Sequence, residues 1–175
     1  GELLIAGQKS GDLWALNPET GALVWNQRVG EGTALGGNHW GIATDSERAF
    51  MTINDPGGMN GNSRPGLFSY FVGTGEPSWF YEAQPECNDR RSERLRRCES
   101  LYGVSATPLS VDGAVITGGL DGRLFVFNSS SGELIFQYDT VKDYETVNGV
   151  EGYGGSIDSH SIAAGSGMVF VGSGY

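Results

Sequence analysis

The chain reads GDLWALNPETGALVW at positions 11–25, and this stretch holds two short apolar segments separated by a polar turn. In the first segment the large apolar side chains recur at every second position, so Trp14 and Leu16 share one face of an extended strand. Gly21 provides the positive φ that a tight turn requires. The stretch therefore predicts a β-hairpin whose second strand presents Trp25 to a neighbouring unit.

The same pattern occurs twice more along the chain. A shift of 54 positions gives PGLFSYFVGTGEPSW at 65–79, and a shift of 111 gives GRLFVFNSSSGELIF at 122–136. The segment VFVG at 169–172 repeats VITG at 115–118 and begins a fourth copy. The three copies predict strands at 3–7, 12–17 and 22–28, at 48–54, 67–72 and 77–82, and at 114–118, 123–128 and 133–139.

Repeats of about 55 residues with three or four antiparallel strands are typical of β-propeller blades. We therefore expect an all-β fold with about three blades and the start of a fourth. Because a ring takes roughly 4–8 blades, the chain is interpreted as part of a longer propeller; a three-sheet solenoid or a sandwich is the alternative. The expected parts of one domain, residues 1–175, are blades at about 1–36, 37–84, 102–140 and 154–175 and an insert at 85–101.

The composition excludes several classes of protein. Glycine accounts for 29 of 175 residues, and charged residues for 18%, which favours short strands and turns over helices or disorder. No apolar run reaches the length of a membrane helix. The net charge of −10 argues against nucleic acid and anionic membranes as partners. Because an incomplete propeller leaves sheet faces open, we expect self-association or completion by other chain segments.

Two cysteines, Cys87 and Cys98, bracket a cluster of five arginines. An even pair that closes a short loop predicts a disulfide in an oxidising compartment, and a reduced cytosolic pair stays the alternative. The arginines can form a dock for an acidic partner such as an electron-transfer protein. The favoured alternative is a surface loop whose charges are solvated or paired with nearby acids, namely Glu86, Asp89, Glu93 and Glu99.

Three polar, glycine-rich segments precede the inner strands, at 37–41, 102–108 and 154–160. In a propeller such segments converge on one mouth of the central channel, and convergent polar groups in a concavity indicate a site. In this superposition Trp40, Ser105 and Ser159 fall together, and His39 falls with Asp158. We take Trp40, His39 and Ser105 as candidate ligand contacts and Asp158 as the candidate catalytic residue.

Each candidate residue has a structural alternative. Trp40 can stack on a planar ring with His39 as donor or base, or both can simply pack. Asp158 can be a general base or a cation ligand, or it can cap a turn. Lys9 can reach an anionic group of a cofactor, or it can be an exposed turn lysine. His160 is interpreted as a surface residue.

The segment around Asn54 and Asp55, with Asn60 and Asn62, is rich in side-chain oxygens. Such a group can hold Ca²⁺. Its spacing differs from that of an EF-hand, and a solvated turn in an expanded hairpin is the favoured reading. The sequence therefore leaves the metal ligands unassigned.

The segment ALNPETGALVW at 15–25 resembles the tryptophan-docking motif of pyrroloquinoline-quinone propeller proteins, Ala-x-Asp-x-x-x-Gly-x-x-x-Trp. Asn17 departs from the usual Asp, and the copy that ends at Phe136 is weaker. Longer strings are similar to quinohaemoproteins of the polyvinyl-alcohol-dehydrogenase type. These strings are AGQKSG at 6–11, ALGGNHWG at 34–41, GGLDG at 118–122, VNG at 147–149 and GGSID at 154–158.

The resemblance implies an eight-bladed periplasmic or secreted propeller that holds pyrroloquinoline quinone and Ca²⁺ over its channel. Such proteins oxidise a small or polymeric alcohol by hydride transfer to the quinone, use a carboxylate base, and pass electrons to a cytochrome. It implies Trp40 as a stacking residue, Lys9 as a quinone contact and Asp158 as base or cation ligand. The alternatives are a non-catalytic scaffold of the same repeat family and a sugar or polymer binding module.

Overall fold

The structure is a computed structural model that describes residues 1–56 and 64–174, and the elements in these ranges are almost all strands. A three-stranded sheet comprises β1 (Leu4–Gly7), β2 (Asp12–Leu16) and β3 (Leu23–Arg28). The next sheet comprises β4 (Ile42–Thr44), β5 (Arg48–Ile53), β6 (Gly66–Phe71) and β7 (Pro77–Glu82). After the short helix α1 (Asp89–Arg94), the third sheet comprises β8 (Leu109–Val111), β9 (Ala114–Gly118), β10 (Arg123–Asn128) and β11 (Leu134–Asp139).

Two hairpins complete the described elements. One hairpin pairs β12 (Asp143–Glu145) with β13 (Glu151–Tyr153), and the other pairs β14 (Ile162–Gly165) with β15 (Met168–Val171). All paired strands are antiparallel neighbours in sequence order, as in successive propeller blades. In the described ranges no helix combines the length and the hydropathy needed to cross a membrane. The all-β propeller segment expected from the repeats is confirmed.

Short inner strands are the main addition to the strands predicted from the sequence. The structure adds β4 and β8 at one edge of their sheets, and β14 opens the last hairpin. The polar segments described above therefore lead into these three strands and not directly into β5 and β9. The inner strands have three or four residues, which is too short for a clear period-two pattern.

Apolar cores lie between successive sheets. Leu13 and Trp25 pack with Met51 and Phe68, which joins the first sheet to the second. The opposite face of the second sheet carries Phe50, and this ring packs in a cluster with residues of β9 and β10. The middle sheet is therefore buried on both faces, and burial of its alternating side chains holds the arc of sheets together.

Tryptophans at equivalent positions also join the sheets. The Trp25 indole Nε1 donates to the carbonyl of Val72 at 2.8 Å, and the Trp79 Nε1 donates to the carbonyl of Ser129 at 2.9 Å. The hairpins β2–β3 and β6–β7, which carry these tryptophans, both have a shift in their strand register at the same position of the repeat. In the first hairpin the shift lies between Ala15 and Leu16. The prediction that Trp25 packs on the neighbouring repeat is confirmed.

Glycine is required where these indole rings lie. Gly132 has a φ of +74°, and a Cβ placed there would lie 2.6 Å from the Trp79 ring. Gly21 occupies the equivalent turn with a φ of +70°, but a Cβ there meets nothing within 4 Å among the described atoms. We expect Gly132→Ala to lower the free energy of unfolding by about 3 kcal/mol, through both the left-handed backbone and the clash with the indole.

The matched control for that substitution is Gly113→Ala in the turn between β8 and β9, where φ is +73° and a Cβ meets nothing within 4 Å among the described residues. It carries only the backbone penalty, about 1 kcal/mol. Urea unfolding monitored by tryptophan fluorescence measures both values. Equal losses of stability in the two variants would contradict the assignment of Gly132 to a ring contact.

Candidate functional site

Asp158 lies at the point where the three polar segments meet. Its Oδ1 accepts hydrogen bonds from Trp40 Nε1 at 2.7 Å, from Ser105 Oγ at 2.5 Å and from the backbone N–H of Ser159 at 2.8 Å. The residues therefore come from the loops before β4, β8 and β14. Among residues 1–56 and 64–174 no donor is bonded to Asp158 Oδ2, so one carboxylate oxygen is saturated and the other is free to act.

His39 extends this network from the same loop as Trp40. Its Nδ1 lies 3.2 Å from Ser105 Oγ. Because the single hydroxyl hydrogen of Ser105 is donated to Asp158, Ser105 Oγ accepts from a protonated Nδ1. In the neutral imidazole Nε2 is then unprotonated, and it can accept a hydrogen bond from a ligand.

Lys9 lies near this network but is bonded elsewhere. Its Nζ donates to the carbonyl of Gly36 at 2.5 Å. Burial lowers the pKa of Lys9, and the charge of Asp55 opposes this effect. Burial also lowers the pKa of His39, followed by repulsion from the Lys9 ammonium, whereas Asp158 raises it. His39 is thus favoured as a neutral imidazole.

The lowered pKa of His39 predicts a pH dependence of stability. The unfolded chain takes up a proton near the ordinary histidine pKa of about 6.5, before the folded chain does. Stability is therefore full above about pH 6.5 and declines as the pH falls below that value. We expect His39→Gln to remove this part of the decline. Urea midpoints at about pH 7.5 and about pH 5.5 measure it, and an identical decline in the variant would contradict the assignment.

A cavity of about 410 Å³ lies beside this network. It is lined by His39 and Asp158 and by residues of the segment between the two cysteines and just after it. Its full lining comprises Leu35, His39, Asn54, Arg94, Leu95, Arg96, Leu101, Leu120, Ser156 and Asp158. This volume lies within the range of small-molecule sites.

The segment at 85–101, which we call the insert, is closed by the disulfide between Cys87 and Cys98, and the predicted bond is confirmed. The Arg91 guanidinium is buried and donates to the carbonyl of Asp121, and it also pairs with Asp139 at 3.0 Å. These contacts anchor the insert to the third sheet.

The acids that pair with the arginines differ from those expected. Arg90 pairs with Asp139 at 2.6 Å and Arg94 with Asp143 at 2.7 Å, so these partners belong to the strand β11 and the hairpin β12–β13. Of the four nearby acids, Glu86 is the one with an ion pair in the described residues, and its partner is Arg123. Pairing with the nearby acids is therefore not observed for Arg90, Arg91 and Arg94, because the insert folds back against the third sheet. Arg96 and Arg97 are exposed, as expected for solvated charges.

In the oxygen-rich segment, the side chains of Asn54 and Asp55 form hydrogen bonds with backbone groups. Asp55 is buried, and its carboxylate accepts N–H bonds from Glu31 and Gly37 at 2.7 Å and from Gly32 at 3.4 Å. The carboxylate oxygens are thereby occupied. Asn60 and Asn62 lie outside the described residues. In the described ranges no three His, Cys, Asp or Glu side chains are grouped as metal ligands.

The candidate residues differ in their access to ligand. Ser105 is fully buried, so it acts on Asp158 and His39 and has no surface for a cofactor. Trp40 is 42% exposed, and the His160 ring lies edge-on to it at 6.1 Å. The sequence reasoning missed Arg94, Arg96 and the leucines of the insert as lining residues. The cysteine pair was the signal that this segment is ordered.

No family model matches the chain. The chain is 32% identical over 177 residues to a polyvinylalcohol dehydrogenase of Sphingopyxis sp. (strain 113P3) and 31% identical over 176 residues to one of Pseudomonas sp. Each match covers 99% of this chain but only 26% and 27% of the relatives. The chain thus spans about a quarter of the length of these relatives.

Solved structures agree on the architecture. The quinohemoprotein alcohol dehydrogenase from Comamonas testosteroni superimposes on 87% of this chain and 30% of its own, with a TM-score of 0.60 and 13% identity. BamB from Moraxella catarrhalis superimposes on 84% of this chain and 38% of its own, with a TM-score of 0.54 and 20% identity. The chain has the fold of a β-propeller segment, and over nearly all of its length it is similar in sequence to part of the polyvinylalcohol dehydrogenases.

Proposed function

We propose that this chain supplies one side of a site at the mouth of the central channel, which we call the hub. The whole protein would then be a periplasmic or secreted, eight-bladed, quinone-dependent alcohol dehydrogenase. The observation that carries the proposal is the carboxylate of Asp158, which is held by Trp40, Ser105 and Ser159 through Oδ1 while Oδ2 stays unbonded among the described residues. The sequence relatives support the reaction class. The disulfide supports an oxidising compartment.

In this proposal Asp158 is the general base. Oδ2 accepts the hydroxyl proton of the alcohol as its carbon loses hydride, and the product is a carbonyl compound. Three donors on Oδ1 fix the orientation of the carboxylate and leave Oδ2 without a hydrogen-bond partner among the described residues. Ser105 and His39 are positioning residues, because they act through Asp158 and through each other.

Trp40 is the residue that fits a planar cofactor. Its N–H is bonded to Asp158, so the indole is held in one orientation, and its partly exposed face suits stacking on an aromatic ring. Pyrroloquinoline quinone, when bound, supplies the hydride acceptor. Lys9 donates one of its three N–H groups to the carbonyl of Gly36, so its ammonium contributes a positive charge near the site and has two further N–H groups.

Calcium fits the described residues less well. The ion takes six to eight oxygen ligands, whereas Asp158 is the one carboxylate that lines the cavity and Asp55 is bonded to backbone N–H groups. No metal ion is therefore given a part in the proposed reaction.

The direct test uses the complete protein that contains this chain. It is incubated with pyrroloquinoline quinone, and quinone binding is measured by absorbance and Trp fluorescence quenching. Dye reduction is then followed with primary alcohols, diols and polyvinyl alcohol. Quinone binding together with dye reduction supports the proposal; failure to bind the quinone and to oxidise any alcohol would end it.

A non-catalytic scaffold is the second candidate, since the similarity to BamB concerns the same arc of blades. A scaffold needs no oriented carboxylate at the hub. In that case substitution of Asp158 leaves the function of the protein intact, whereas substitutions on exposed blade edges impair it. Quinone binding and dye reduction by the complete protein therefore separate the two candidates, because a scaffold is expected to show neither.

A further inference from the structure

The cavity beside Asp158 is lined by residues of opposite charge. Asp158 comes from the loop before β14, and Arg94 and Arg96 come from the insert. The lining also includes four leucines, Leu35, Leu95, Leu101 and Leu120. Such a lining suits a ligand that combines an aliphatic portion with two different polar groups.

The two arginines of this cavity have different bonding. Arg94 donates to Asp143 at 2.7 Å, so its charge is already paired. Arg96 forms no ion pair with any carboxylate of residues 1–56 and 64–174. Acidic residues outnumber basic ones by 21 to 11 in this chain. An unpaired arginine that lines a cavity is therefore available to a ligand.

The position of Arg96 is held by the surrounding structure. Leu95 is buried against Val141 and Cys98, and the disulfide closes the insert on both sides of it. The buried Arg91 anchors the same segment to the third sheet. The backbone at Arg96 is thereby held in place, while its side chain is exposed and lines the cavity.

We infer that Arg96 binds the carboxylate of a substrate that also carries the reacting hydroxyl, so that the substrate class is a hydroxycarboxylate with an aliphatic chain. The inference rests on the proposed function, since it assigns the hydroxyl end to Asp158. Guanidinium and carboxylate form paired, charge-assisted hydrogen bonds, which are stronger than those to a neutral hydroxyl. Arg96 is then a specificity-determining residue.

The test compares two ligands of equal chain length, ω-hydroxyhexanoate and hexanediol, which differ in one carboxylate. Binding to the complete protein is measured by calorimetry without quinone. Arg96→Gln is expected to weaken ω-hydroxyhexanoate binding by about tenfold and to leave hexanediol binding within about twofold. Arg97→Gln is the matched control, because Arg97 belongs to the same insert but does not line the cavity.

Three results would overturn the inference: equal weakening of both ligands, no weakening of either, or no preference for the hydroxycarboxylate in the unsubstituted protein. Quinone affinity is measured in the same variants. A loss of quinone binding in Arg96→Gln with unchanged ω-hydroxyhexanoate binding would assign the arginine to the cofactor instead. The calorimetry needs no turnover, so a missing alcohol oxidation tests the proposed function separately.

Discussion

Replacement of Asp158 by asparagine is expected to reduce kcat for alcohol oxidation about a thousandfold in the complete protein. The amide keeps an oxygen that accepts from Trp40 and Ser105, so the network around Oδ1 is retained. It replaces the free carboxylate oxygen by an NH₂ group that takes up no proton. The loss therefore falls on kcat and not on quinone affinity, and steady-state dye reduction together with quinone titration measures both.

The matched control is Asp112→Asn, an exposed aspartate in the turn between β8 and β9. Its kcat should equal that of the unsubstituted protein. Circular dichroism shows whether both variants keep the fold. An Asp158→Asn variant with more than about a tenth of the original kcat would remove the general base from the mechanism.

Replacement of Asp55 by alanine is expected to lower the free energy of unfolding by about 3–5 kcal/mol. The buried carboxylate satisfies backbone N–H groups of Glu31, Gly32 and Gly37, and each donor left unbonded away from water costs about 1–3 kcal/mol. The segment that leads to His39 then loses its anchor. Urea unfolding measures the stability, and Asp112→Ala serves as the exposed control.

Added Ca²⁺ distinguishes the two roles considered for Asp55. A structural carboxylate gives the same unfolding midpoint with and without the ion in the unsubstituted protein. A calcium-dependent midpoint that disappears in Asp55→Ala would show that the carboxylate is a cation ligand after all. If the carboxylate is structural, Asp55→Ala loses the same stability with and without added Ca²⁺.

Much of the fold was predictable because each blade has the same pattern of turn glycines and aromatic residues. Gly21, Gly75 and Gly132 occupy equivalent turns with positive φ, and the aromatic residues four positions later lie on equivalent outer strands. The inner strands and the hairpin at 143–153 were not predicted. These elements have three or four residues per strand and are held by their neighbours, so their own sequences carry little pattern.

The site was predictable in part for a different reason. Superposition of the repeats brought Trp40, Ser105 and Asp158 to one mouth, and the hydrogen bonds between them agree with that placement. The hydrogen-bond partner of each side chain could not be predicted from the sequence, because the repeat symmetry places the loops but does not define the side-chain rotamers. Arg96 lines the cavity because of the way the insert folds. The insert is not repeated along the chain, so no comparison of repeats could predict this position.

Phe136 occupies the place that Trp25 and Trp79 hold in the preceding blades. A phenyl ring has no N–H to donate, so the junction that follows the third sheet lacks the hydrogen bond that seals the two before it. This third junction lies beside β14 and β15, whose residues Ile162 and Val171 pack on the third sheet. Thermal opening is therefore expected there before it occurs at the two tryptophan junctions. The loop that carries Asp158 leads into β14, so such opening would also change access to this carboxylate.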